Sequence, residues 1–112
     1  MRKNHICFKV SGKVQGVMFR QTFIRACHSR GLKGAASNLS DGTVSCYVSG
    51  DTDVIDDIVV NLTSGNKINS WGACVTELIP ISDAEAIPFE KHQVTTTNVD
   101  SFNWNPDVEM YL

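Results

Sequence analysis

Residues 5–31 read HICFKVSGKVQGVMFRQTFIRACHSRG. The first seven alternate, with Ile6, Phe8 and Val10 set against Cys7, Lys9 and Ser11. A period of two marks a strand with one apolar face. Gly12 and Gly16 then punctuate a loop that runs to Met18. From Phe19 the period changes. Phe19, Phe23 and Cys27 fall at i, i+4 and i+8 with Ala26 beside them, which predicts a helix over residues 19–30 with one buried stripe. Gly31 follows as its C-terminal stop. Strand, glycine loop and helix in this order are the first part of a β-α-β unit, whose next strand must run parallel to the first.

The rest of the chain supplies the expected partners. Residues 32–39 read as a strand, weakened by the poor strand formers Ala35, Ala36 and Ser37. Asp41-Gly42 is a hairpin signal, since tight hairpin turns want positive φ. Residues 43–49 alternate Val44, Cys46 and Val48 against Ser45, Tyr47 and Ser49. A second helix is expected over residues 52–64, with Asp51 or Thr52 as N-cap and Val54, Ile55, Ile58, Val59 and Leu62 on its apolar face. Asp53, Asp56 and Asp57 fall in its first turns, where the helix dipole favours them. Residues 71–79 read as a further strand and 88–94 as a last one. The order β-α-β-β-α-β with a short extra C-terminal strand is the split βαβ pattern. The expected fold class is therefore α+β: a ferredoxin-like sandwich, an antiparallel sheet with two helices on one face. Residues 1–95 form the expected domain. Residues 96–112, polar and rich in Asn, are expected as a frayed tail, although Trp104, Tyr111 and Leu112 could dock it.

Composition narrows the function classes. The chain has 112 residues, a length that suits one domain. No apolar run approaches the roughly 18 residues that span a bilayer, so no membrane association is expected. The basic start, with Lys9 and Ser11 breaking the apolar stretch behind it, is not a secretory signal, and a cytoplasmic location is expected. Cys7, Cys27, Cys46 and Cys74 stand far apart, which suits reduced core thiols rather than a zinc site. Cys7 and Cys46 fall on opposite strand faces, so no disulfide is expected between them. Charge is divided unevenly. Residues 1–40 hold eight Lys or Arg and no carboxylate, whereas residues 41–112 hold two Lys and all twelve carboxylates. Such asymmetry hints at an anionic partner. RNA-recognition domains share this topology, but their third strand interleaves aromatics, and here Tyr47 is its only one, so no nucleic acid is expected.

Two positions carry candidate chemistry. The loop from Gly12 to Arg20, through Gln15, Gly16, Val17, Met18 and Phe19, joins a strand to a helix start, where backbone N–H groups cradle anions. Arg20 near a helix N-terminus is unfavourable by up to about 1 kcal/mol, an opposition that a bound anion relieves. Its planar fork matches phosphate oxygens. The loop is not a Walker A motif and holds no Cys nucleophile, and His5, His28 and His92 are scattered. The second position is Asn38. Parallel strands end on one sheet edge, so Asn38 falls on the edge of the Gly12–Arg20 loop, with one intervening strand. Two inter-strand spacings amount to about 10 Å. That is room for a small phosphate compound and a water, which an Asn amide can orient.

These residues resemble the acylphosphatases. Residues 10–20, VSGKVQGVMFR, are similar to the first signature of that family, and residues 34–50, with Asn38, Gly42, Val44 and Gly50, to the second. Ala26, Gly31 and Leu32 also fit, and the resemblance covers residues 6–78. Four features depart from it: Ala35 stands where the family usually has an aromatic residue, and Ser37 where it has a basic or long one. Residues 66–70 lack its common proline, and the polar tail extends past its usual end. The resemblance implies hydrolysis of a small acyl phosphate to a carboxylate and inorganic phosphate by a monomer that needs no metal or other cofactor. In that scheme Arg20 and the amides of Gln15 to Arg20 bind phosphate, and Asn38 orients the water. The alternative is an anion-binding module of the same fold with little or no turnover.

Overall fold

The computed structural model describes residues 3–81, 94–95 and 108–112. Strand β1 (Lys3–Lys13) leads through the glycine loop to helix α1 (Phe19–Ser29). Strands β2 (Lys33–Asn38) and β3 (Val44–Asp51) form a hairpin, followed by helix α2 (Thr52–Leu62), strand β4 (Cys74–Ile81) and the two-residue β5 (Val94–Thr95). The sheet order is β4-β1-β3-β2-β5, and every pairing is antiparallel. β1 and β2 thus run parallel to each other with β3 between them, as the split βαβ reading requires. The architecture is the expected α+β sandwich, with both helices packed on the sheet.

The alternation of β1 holds. Phe8 and Val10 are buried against the helices, and the register places Cys46 opposite Phe8 and Tyr47 opposite Cys7. Cys7 and Cys46 therefore lie on opposite faces, and none of the four cysteines is in a disulfide. In β3 the residues Val44, Cys46 and Val48 are fully buried. Ala36 from β2, Phe19, Phe23 and Cys27 from α1, and Ile55, Ile58 and Leu62 from α2 complete one core. Phe23 makes an edge-on contact with Phe8 and stacks on Phe19 at 5.9 Å between ring centroids. Burial pushes the Cys27 and Cys46 thiols well above their ordinary range, which keeps them protonated core residues.

Element ends follow local chemistry. α1 stops one residue earlier than expected because Gly31, at φ 76°, closes a Schellman motif. Leu32 N–H donates to Cys27 O, and Gly31 N–H to His28 O. α2 closes at Leu62, with Thr63 capping it. The β2–β3 hairpin turns at Asp41-Gly42, but only Gly42 takes positive φ (91°). Gly42 N–H donates to Leu39 O, and Leu39 N–H to Thr43 O, so the loop is a β-turn closed by a left-handed glycine rather than a two-residue turn with both residues left-handed. Gly12 sits where the β1–β4 register shifts. A Cβ there would lie 2.6 Å from the Cys74 carbonyl oxygen, so only glycine fits.

Two expectations are corrected. Trp71 does not begin β4. Residues 68–73 form a turn around Asn69, with Gly72 at φ 88°, and the strand starts at Cys74. The last five residues are not frayed. Met110 bridges Asn69, Ser70 N–H donates to Glu109 O, Tyr111 N–H donates to Ile68 O, and Val108 is buried. Of the expected last strand, Val94 lies in β5 and residues 88–93 lie outside the described residues. The rest of the tail, 96–107, and His92 also lie outside them. Among the described residues, no helix is long and apolar enough to cross a membrane.

Candidate active site

A groove of about 190 Å³ opens where β1 and β2 end on a common edge, lined by Val14, Gly16, Met18, Phe19, Arg20, Gln21, Asn38 and Trp71. The topology explains the convergence. The loop after β1 and the end of β2 lie on one edge because the two strands are parallel and share β3 as neighbour. The sheet thus brings Arg20 and Asn38 together across 18 positions of sequence.

The loop backbone is shaped for it. Gly16 has φ 76° and Met18 has φ 59°, whereas Val17 between them is not left-handed. Alternation of this kind turns successive N–H groups toward one side and forms a concavity for anions. Met18 is the only non-glycine with positive φ among the described residues. Such strain costs about 1–3 kcal/mol and persists where surrounding structure enforces it. Two side chains do so. Gln15 donates its amide to Leu39 O at 2.8 Å and to Thr43 O at 2.9 Å, fastening the loop to the β2–β3 hairpin beside Asn38. Asn69, fully buried, donates to Val17 O and to Thr22 Oγ1, both at 2.9 Å, and accepts from Trp71 N–H and Ala73 N–H.

The two helix starts differ. α2 is capped by Asp51, whose carboxylate accepts from Asp53 N–H, and Asp53 adds an acid to the first turn. The N-cap of α1, Met18, makes no side-chain cap, and the first turn holds no acid. The first N–H groups of a helix have no partner within it, and at α1 the residues that carry them, Phe19, Arg20 and Gln21, line the groove. Arg20 is half-buried there, and desolvation lowers its pKa from the ordinary value. A guanidinium nevertheless stays charged at any ordinary pH, so the groove carries a cation on top of the positive helix end. Asn38 contributes an amide oxygen, Oδ1, that is buried and has no hydrogen-bond partner among the described residues. Buried polar atoms without partners are rare, and this one suits a ligand or water in the groove.

Of the expected site residues, Gly16, Met18, Phe19, Arg20 and Asn38 line the groove. Phe19 is 1% exposed and stacked in the core, so its backbone is what it can offer. Gln15 and Val17 do not line it; they brace the loop, through the Gln15 amide and the Val17 carbonyl. Sequence reading missed Val14, Gln21, Trp71 and the bracing Asn69. Asn69 was signalled only by its place in an Asn-Ser-Trp-Gly stretch, a turn-forming composition. No Asp, Glu, His or Cys lines the groove among the described residues, and none of their clusters could hold a metal ion.

Comparison with known proteins gives one family. The acylphosphatase family model matches residues 6–86. The acylphosphatase of Alkalilimnicola ehrlichii is 45% identical over 58 residues, which is 52% of this chain and 65% of that protein. That of Bordetella parapertussis is 43% identical over 50% of this chain and 60% of that protein. The chain thus spans somewhat less than two thirds of these relatives. The acylphosphatase of Chlorobaculum tepidum is 37% identical over 62% of this chain and 76% of its own length. Among solved structures, an acylphosphatase from Coxiella burnetii superposes with a TM-score of 0.60 at 30% identity, covering 78% of this chain and 90% of that one. One from Bacillus subtilis gives 0.60 at 27% identity, covering 69% and 81%.

Proposed function

The chain belongs to the acylphosphatase family, and from that premise and the groove we propose that it hydrolyses small acyl phosphates to a carboxylate and inorganic phosphate. The observation that carries the reading is the buried, unpartnered Asn38 oxygen in the groove that Arg20 and the uncapped start of α1 share. The phosphoryl group sits against the loop amides between Gln15 and Arg20, and the Arg20 guanidinium grips two of its oxygens. These contacts gain strength as charge builds on the equatorial oxygens in the transition state.

Asn38 Oδ1 accepts a hydrogen bond from the attacking water and aims its lone pair at phosphorus. The bond from the water oxygen to phosphorus forms, the bond from phosphorus to the acyl oxygen breaks, and the carboxylate leaves with the electron pair. A phosphate oxygen of the substrate takes the water's proton. A carboxylate is a good leaving group, so no protein base is required, which fits a lining without Asp, Glu or His among the described residues. The donors present are amides and a guanidinium, which suit an anion, so the proposed reaction needs no metal. The active unit is proposed to be a cytosolic monomer. Four cysteines outside any disulfide suit a reducing compartment.

The test is hydrolysis of benzoyl phosphate in ¹⁸O-water with a chelator present. The label is expected in inorganic phosphate. Label in benzoate, or phosphate binding at residues 16–20 without turnover, would contradict the proposal, the latter in favour of an anion-binding module.

A further inference from the structure

We propose that Trp71 is the specificity-determining contact for the acyl half of the substrate, selecting planar apolar, and in particular aromatic, acyl groups. The inference rests on the hydrolase reading above and adds the substrate class to it. Among the groove-lining residues, Trp71 is the large apolar side chain left exposed, at 39% of its surface, whereas Phe19 and Val14 are 1% exposed. A single exposed apolar side chain is ordinary on a surface, but this indole stands in the groove that holds Arg20 and Asn38.

Its backbone is fixed rather than loose. Asn69 Oδ1 accepts from Trp71 N–H and from Ala73 N–H, both at 3.1 Å, so one buried oxygen holds the chain on both sides of the indole. Gly72 N–H returns to Asn69 O, and Ile68 N–H to Ala73 O. Ser70, the residue before it, donates its N–H to Glu109 O and accepts from Glu109 N–H through its hydroxyl. An aromatic surface presented by a turn this well pinned is preorganised, so little ordering opposes stacking on it. The same Asn69 holds Val17 O of the anion loop, so the backbone of Trp71 and the loop share one anchor. Half-buried Met18 adds a second apolar surface, and its thioether suits an aromatic edge.

The experiment measures kcat/KM for benzoyl phosphate and acetyl phosphate in the parent, Trp71→Ala and Trp71→Phe. It also measures inhibition constants, or direct binding by calorimetry, for the non-hydrolysable benzoylphosphonate and acetylphosphonate. The parent is expected to prefer the benzoyl member of each pair. Trp71→Ala should lower that preference about tenfold, the scale of one aromatic contact, and Trp71→Phe should restore most of it. A structural role alone would lower both members equally and leave the ratio unmoved. A parent without preference, or an unchanged ratio in Trp71→Ala, overturns the inference while turnover itself stands. A parent that hydrolyses neither phosphate, yet binds benzoylphosphonate more tightly through Trp71, overturns the hydrolase reading and keeps Trp71 as the aromatic contact.

Discussion

Asn38 and Arg20 face the same groove, but they answer to different physics. In the proposed mechanism Asn38 works by position. Its amide oxygen is buried without a protein partner among the described residues, and its proposed role depends on where it would hold a water. Arg20 is proposed to work by charge and shape. Burial lowers its pKa, yet a guanidinium remains protonated across the working range, so the proposed phosphate grip would not switch with pH. Arg20→Lys keeps the charge and loses the planar fork. It is expected to weaken inhibition by inorganic phosphate and raise KM for an acyl phosphate by roughly 10-fold to 100-fold, the scale of a lost charge-assisted hydrogen bond. Steady-state kinetics with phosphate as competitive inhibitor checks this.

Elements set where those two residues stand. Both strand ends were legible from sequence, because the periods of β1 and β3 and the stripe of α1 are regular and the parallel pairing of a β-α-β unit follows from connectivity. Arg20 and Asn38 could therefore be placed on one edge. Residues 68–73 were not legible. That turn is built by side-chain-to-backbone bonds from Trp71 N–H and Ala73 N–H to Asn69, and a turn closed by one side chain leaves no period in a sequence, so Trp71 read as strand. The β2–β3 hairpin carries its own titration. Hydrogen bonds from the Thr43 hydroxyl and the Thr43 N–H, with Lys9 at 3.5 Å behind them, hold the Asp41 carboxyl below its usual range. A depressed folded value adds stability above the ordinary carboxylate pKa of about 3.9, which is lost as pH falls through the lower folded value. Asp41→Asn is therefore expected to flatten acid unfolding below about pH 4, read by circular dichroism. An acid limb identical to the parent's would remove Asp41 from this role.

On the scale of the whole molecule, the last described residues bond back onto residues 68–70. Val108 is buried, and the segment it begins pairs with the turn that holds both Trp71 and, through Asn69, the anion loop. Deleting residues 108–112 is expected to cost about 2–4 kcal/mol of stability, from one buried Val and the bonds at Ile68 and Ser70. It should also weaken phosphate binding. Denaturant unfolding and phosphate titration of the truncated chain check the two effects. The uneven charge of the chain reads differently in the folded state. Strands from both halves alternate in the sheet, so the basic half need not form a single patch, and the carboxylate-free part that the proposal uses is the groove with Arg20 and Asn38. The most direct test of the account is turnover of an acyl phosphate by Asn38→Ala with a chelator present. The account predicts an active parent and a folded variant whose kcat is lower by about 10² or more. Near-parental turnover by that variant would contradict it.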